Sequence, residues 1–292
     1  MLRHTSIFLL SVLILSFSVA AQPKWKRSKP PKKIPLALFH STMTANFPTA
    51  EMLKKGDFMY EISHRFVPPI KDGFDALWGL NGPAKIRTSL SYAISNRVML
   101  TFGHVNLLNN LDFHIKYRLL EIDSKTLPSA VAIRAGIAVN PGIPNSLDRG
   151  DFDSDNFQYF AQLVYNTMFF NKKFGVGIVP SYLYNSSIFT IDKQYTFTLG
   201  NYYQYYFNHM WSVWLELNPI IAGYQGFITP DEIGNKSFNH VALGFDIETG
   251  GHFFHLFVTN NSRISPTQFL VGADKKAGSD SWRVAFGITR EL

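Results

Sequence analysis

The chain has 292 residues, a net charge of +7, 46% hydrophobic and 15% aromatic residues, and a mean hydropathy of −0.02. That hydropathy excludes a bundle of membrane helices, whereas 26 Phe and 13 Tyr are a heavy load for a soluble domain. The absence of Cys excludes disulfides, thiol catalysis, Cys-ligated zinc and a lipidated N-terminal Cys.

The chain opens with Arg3 and His4, followed by an almost wholly apolar run at 7–19. That length suits a signal-peptide core and is short of a spanning helix. The small residues Val19, Ala20 and Ala21 then predict a signal peptide over 1–21 with cleavage after Ala21. Residues 22–55 are basic and Pro-rich at first and read as a periplasmic arm. Its cations, Lys24, Lys26, Arg27, Lys29, Lys32 and Lys33, are expected beside anionic headgroups rather than on nucleic acid.

From Asp57 the pattern takes a two-residue period. Phe58, Tyr60, Ile62, His64 and Phe66 alternate with Met59, Glu61, Ser63 and Arg65. An extended chain sends these sets to opposite faces, whereas a helix would scatter them. Similar alternation covers 85–94, 112–119, 131–139, 241–248 and 282–289. Less regular strand-like segments follow at 97–106, 156–168, 173–184, 194–206, 209–218 and 252–259. The expectation is all-β: a closed antiparallel transmembrane barrel of about twelve strands over residues 56–292. Strands of this kind put half their side chains in lipid and half in a polar lumen, which accounts for the neutral hydropathy.

Short turns at 95–96, 171–172, 208–209 and 249–251 mostly alternate with long connections at 67–84, 140–155, 185–193, 219–236 and 260–280. That asymmetry is expected of periplasmic turns and extracellular loops. The connections at 106–111 and 120–128 break it. Aromatics crowd the short turns: Tyr202, Tyr203, Tyr205, Tyr206 and Trp211 around Asn208, Phe169, Phe170 and Phe174 around Asn171, and Phe253 and Phe254 after Gly251. They read as one interfacial girdle.

Three stretches carry a family resemblance. The first is Phe74-Asp75-Ala76-Leu77-Trp78-Gly79-Leu80-Asn81, running into Ile86-Arg87 and Ser91-Tyr92-Ala93-Ile94. The second is Lys116-Tyr117-Arg118-Leu119-Leu120. The third is Thr249-Gly250-Gly251-His252-Phe253-Phe254-His255-Leu256 with Thr259-Asn260-Asn261-Ser262. The chain resembles the uncharacterised "membrane-bound β-barrel domain" family of exported bacterial proteins, over roughly residues 56–292. The resemblance implies an outer-membrane barrel and supplies no activity or catalytic residues.

Candidate sites are sparse. His252 and His255 sit three apart on a strand, so they face opposite ways and do not share a metal ion. Asp151-Phe152-Asp153-Ser154-Asp155 starts like a calcium loop, but Asn156 replaces the glycine and Gln162 the final glutamate. His64 and His104 are candidate bases for a lipid-modifying enzyme, with no serine singled out. No catalytic residue, metal or cofactor is assigned.

The lumen carries more information. Its expected lining is Glu61, Arg65, Arg87, Asp112, Lys116, Arg118, Arg134, Asp246, Glu248 and Arg283. Both charge signs are present, fitting either an ion track or a salt-bridged plug. Phe74, Leu77 and Trp78 are spaced to share one face of a helical turn and are expected to fold inward as a partial plug or gate.

The function expected is a non-catalytic, weakly selective pore or small-ligand-binding barrel. Its partners would be outer-membrane lipid, lipopolysaccharide and a small-molecule solute, with no nucleic acid. A lipid-modifying barrel enzyme, or an adhesive barrel presenting its loops, is the alternative.

Overall fold

The computed structural model describes residues 36–143, 147–229 and 236–292. The expected signal peptide, its cleavage site and the basic run lie outside the described residues.

Nine consecutive strands are β1 (Phe58–Phe66), β2 (Ala84–Ser95), β3 (Val98–Val105), β4 (Asn110–Ile122), β5 (Ser129–Val139), β6 (Phe157–Phe169), β7 (Phe174–Tyr184), β8 (Tyr195–Tyr206) and β9 (Trp211–Asn218). The short β10 (Ile220–Gly223) precedes β11 (His240–Thr249), β12 (His252–Thr259) and β13 (Arg283–Glu291). Neighbours pair antiparallel, β9 pairs with both β8 and β11, and β13 returns to β1 with Met59 opposite Glu291 and Arg65 opposite Ala285. The result is a closed twelve-stranded antiparallel barrel with β10 as an extra strand. Closure leaves no sheet edge to satisfy in hydrocarbon.

The extra strand has a local cause. Pro219 lacks a backbone N–H, so the ladder breaks between β9 and β10, although its carbonyl still accepts from Leu199 N at 3.0 Å. Beyond the break, β10 pairs with the upper part of β8, Ile220 opposite Thr198.

The two-residue period sorts side chains as a membrane barrel requires. Tyr60, Leu90, Tyr92, Phe102, Ile115, Ile133, Leu163, Tyr182, Leu243 and Phe245 are exposed on the outer wall, while Glu61, Ser89, Ser91, Thr101, Lys116, Arg134, Gln162 and Asp246 are buried inside it. The turn-flanking aromatics obey the same parity, which splits the expected girdle. Tyr205, Phe207 and Trp211 are exposed, whereas Tyr202, Tyr206 and Phe253 are buried within the barrel.

Both ends of the barrel wall, Phe58 and Leu292, meet by reciprocal backbone hydrogen bonds of 3.1 and 2.8 Å. They define a terminal end, which also carries the short turns; the long connections lie at the opposite, loop end.

The plugged lumen as candidate functional site

The interior is filled by chain from both ends. Residues 36–53, read from sequence as part of a periplasmic arm, are instead almost wholly buried. The segment has no local period, and its partners are wall side chains far along the chain. It enters at the terminal end, where Lys172 Nζ donates to Ala37 O (2.8 Å) and His40 Nδ1 donates to Glu248 (2.6 Å). It reverses as a hairpin, with Met43 bridged to Pro48 and Thr49 N donating to Thr42 O at 3.1 Å. It then returns to β1.

Contacts to strands on opposite sides of the barrel place this hairpin in the lumen. Arg65 of β1 donates to Ala45 O (3.1 Å) and Asn46 Oδ1 (3.0 Å). Lys116 of β4 donates to Thr42 O (2.8 Å) and Thr49 O (3.2 Å). Arg118 Nε donates to Ala50 O (2.7 Å), and its Nη2 donates to Glu51 at 2.8 Å. Ala50 N donates to Asn166 of β6 (2.7 Å), and Tyr202 of β8 donates to Pro48 O (3.2 Å). On β9, Glu216 accepts from Thr44 Oγ1, Asn46 N and Asn46 Nδ2. One flank is apolar: Phe39, Phe47 and Ala50 pack with Val164, Met168, Val179, Leu183 and Tyr202.

From the loop end, residues 260–273 also fold inward and are buried. Their one helical turn, α1 (Pro266–Leu270), starts with Ser265 accepting from Gln268 N at 3.3 Å. Phe269 meets the hairpin's Phe47 edge-on, ring centroids 5.2 Å apart. Asp274 anchors the loop by accepting from Ser262 N (2.8 Å) and pairing with Arg283 Nη2 (3.1 Å). Burial alone would raise its carboxyl pKa; Arg283 and neighbouring cations outweigh that and hold it below the usual range.

The expected lining residues are placed as follows. Arg87 forms a two-pronged pair with Asp112 and lies 3.6 Å from Glu61. Asp246 accepts from Trp214 Nε1 (2.6 Å), His255 Nδ1 (2.7 Å) and Gln204 Nε2 (2.9 Å). Arg65, Lys116 and Arg118 hold the hairpin, and Arg283 holds the 260–282 loop and donates to Val67 O at 2.7 Å. Arg134 lies against the Phe160 ring. Glu248 is half-buried at the terminal mouth rather than deep inside.

Phe74, Leu77 and Trp78 do not fold inward. Phe74 is 71% and Trp78 51% exposed, with their rings packed on each other. The spacing that suggested a helical turn is not one, because Leu77 and Trp78 take left-handed backbone conformations. The space they were expected to fill is occupied by the hairpin and by 260–273.

Residues 39–292 match the family described as a membrane-bound β-barrel domain. The chain belongs to that family.

No curated protein sequence matches this membrane-bound barrel. Solved barrels resemble it weakly. The NanC porin is 10% identical with a TM-score of 0.45, over 80% of this chain and 97% of that one. An outer-membrane channel from Pseudomonas putida F1 is 12% identical with a TM-score of 0.47, over 83% and 98%. Outer-membrane phospholipase A from Escherichia coli, as an active-site mutant, is 12% identical with a TM-score of 0.41, over 82% and 91%.

Sequence reasoning missed the hairpin, Glu216, His114 and His240. For two of these the signal was present. Glu216 shares parity with Ser212 and Trp214, and His114 with Asp112 and Lys116, so both belong to the inner face. Outside the lumen, His104 Nε2 donates to Asn109 Oδ1 (2.7 Å), and His64 stacks on Phe286. In the acidic loop, Asp155 is tied to Lys193, which lowers its carboxyl pKa first through that hydrogen bond.

Proposed function

We propose that this membrane barrel lies in an outer membrane and passes or binds a small solute, resting with its lumen shut by the hairpin at 36–53. The observation that carries this reading is the polar seam between hairpin and wall. On its β1, β4 and β9 flank the hairpin is held by Arg65, Lys116, Arg118 and Glu216, beside smaller apolar contacts of Ala45 with Trp214 and of Met43 and Leu53 with Met59. Charges in a permanently dry core are costly and often replaceable by hydrophobic groups without loss. The same ring of charges suits a lumen that is wetted when the plug moves. A twelve-stranded barrel is between filled small barrels and open porins in size, so a movable filling is physically reasonable. The apolar outer wall would be bathed in lipid and, at the loop end, in lipopolysaccharide.

The test is conductance in planar bilayers. Thr44→Val combined with Asn46→Ala removes the hairpin's side-chain bonds to Glu216. The expected outcome is rare, small openings for the unaltered protein and openings several-fold more frequent for the double variant. Folded protein that never conducts in either form overturns the reading.

The His104–Asn109 pair favours one rival, a lipid-modifying enzyme, because it is a base held by an amide on the outer wall. The cross-strand neighbours of His104 are Thr88 and Leu111, so the nearest hydroxyl in register is Thr88. Fatty-acid release from phospholipid micelles that is lost in both His104→Ala and Thr88→Val would support that rival.

A further inference from the structure

Between the hairpin and the inner faces of β1 to β5 lies a cavity of about 40 Å³, lined among others by Met43, Met59, Ser91, Met99, Lys116 and Arg134. That is room for a few water molecules or a small organic ion. Its two sides differ. One is apolar, where Met59 and Met99 pack with Leu53 and Met43. The other is cationic.

The cations exceed their counterions. Arg87, Lys116 and Arg134 are faced by Asp112 and Glu61, and both carboxylates are engaged by Arg87. Lys116 and Arg134 are direct cross-strand partners in the β4–β5 ladder, so two like charges sit side by side. Among the described residues, Lys116 donates hydrogen bonds only to the hairpin carbonyls of Thr42 and Thr49. Arg134 is the least satisfied. It is 8% exposed and, among the described residues, forms no ion pair. Its Nε has no hydrogen-bond partner. Its Nη1 reaches Gln162 Oε1 only at 3.4 Å, and its Nη2 lies 3.5 Å from His114 Nδ1. That nitrogen also lies 3.2 Å from Asp112 Oδ1. A ring nitrogen that donates to Asp112 cannot accept from Arg134. A buried guanidinium without an anionic partner is expensive, and a planar two-oxygen anion matches its fork.

We propose that this cavity binds a small carboxylate with a short apolar tail, its carboxylate on Arg134 and Lys116 and its tail against Met59 and Met99. The site names the solute class for the lumen and so rests on the reading of the lumen as a solute path. Binding and conductance are measured separately, and either can fail alone.

The experiment titrates the full-length folded barrel in detergent calorimetrically with sodium butyrate, with sodium phosphate and sodium chloride as comparators at matched ionic strength. Butyrate should bind saturably, and phosphate, which cannot use the methionine side, about tenfold more weakly. Arg134→Gln should weaken butyrate by about tenfold or more. Ser91→Leu, which fills the cavity from β2 and leaves the cations in place, should do the same and carries the test if Arg134→Gln does not fold. No saturable butyrate binding by the folded protein overturns the site. Unchanged affinity in both folded variants also overturns it, and phosphate binding as tightly as butyrate overturns the carboxylate assignment. Butyrate binding by a barrel that never conducts keeps the site and removes the transport reading.

Discussion

The ring of Phe47 occupies the space that Gly200 leaves on the inner face of β8: a Cβ at position 200 would overlap it. Gly175 stands in the same relation to Phe39, with a Cβ there only 2.6 Å from the ring. Wall glycines thus provide sockets for the two aromatic rings of the inserted hairpin.

Gly200→Val should therefore displace the hairpin without touching its polar anchors. Barrel closure should survive, because the β8 backbone at 200 is an ordinary strand paired with Val179. The expected outcome is higher conductance in planar bilayers and faster proteolysis within 36–53. Wild-type values for both would show that the hairpin tolerates the overlap.

Arg118 donates to the Ala50 and Leu36 carbonyls and to Glu51, so Arg118→Met leaves a mostly buried carboxylate without its counterion. Removing one partner of a buried pair costs about 3–5 kcal/mol. Urea unfolding should show a loss of that size. Glu51→Gln, which keeps a hydrogen-bond acceptor, should cost less.

Adjacent residues on β3 test the register. Phe102 is exposed on the outer wall and Thr101 is buried on the cavity side. Phe102→Asp puts a carboxylate toward lipid and should be destabilising, by less than the roughly 2–4 kcal/mol that an Arg or Lys costs at mid-membrane. Thr101→Asp faces surplus cations and should be milder. The folded, heat-modifiable fraction on gels should be lower for Phe102→Asp; equal fractions would contradict the assigned faces.

The inward fold of 260–273 should weaken in acid. The Asp274 carboxyl is depressed below its ordinary value of 3.8. Its stabilising contribution is therefore fully present above that value and is lost as pH falls through the lower, folded value. Hydrogen exchange of Ser262 and its neighbours should accelerate only below pH 3.8. Asp274→Asn should exchange faster at neutral pH and lose that dependence.

Deleting residues 70–80 should leave conductance unchanged, because Phe74 and Trp78 are exposed and do not enter the lumen. A rise well above wild type would show that this loop gates the pore after all.

The sequence alone determined the barrel. Side-chain parity along a strand is a local property with a period of two, and it places Glu61, Arg87, Asp112, Lys116 and Asp246 inside and Phe102 and Phe245 outside before any partner is known. Only the tertiary structure decided what fills the lumen. Residues 36–53 form no regular strand, and their bonds run to Lys116, Asn166, Tyr202 and Glu216, at sequence separations between 67 and 172. The signal for their placement is divided between the two sides of each contact: a Phe without a local pattern here, a glycine on a distant strand there. Neither half carries the information by itself. The same holds for Arg134, which reads from sequence as one inward charge among several and stands out only once every neighbouring carboxylate is seen to be taken. Interior filling is a sum over distant pairs, so it becomes readable only when the barrel has closed around them.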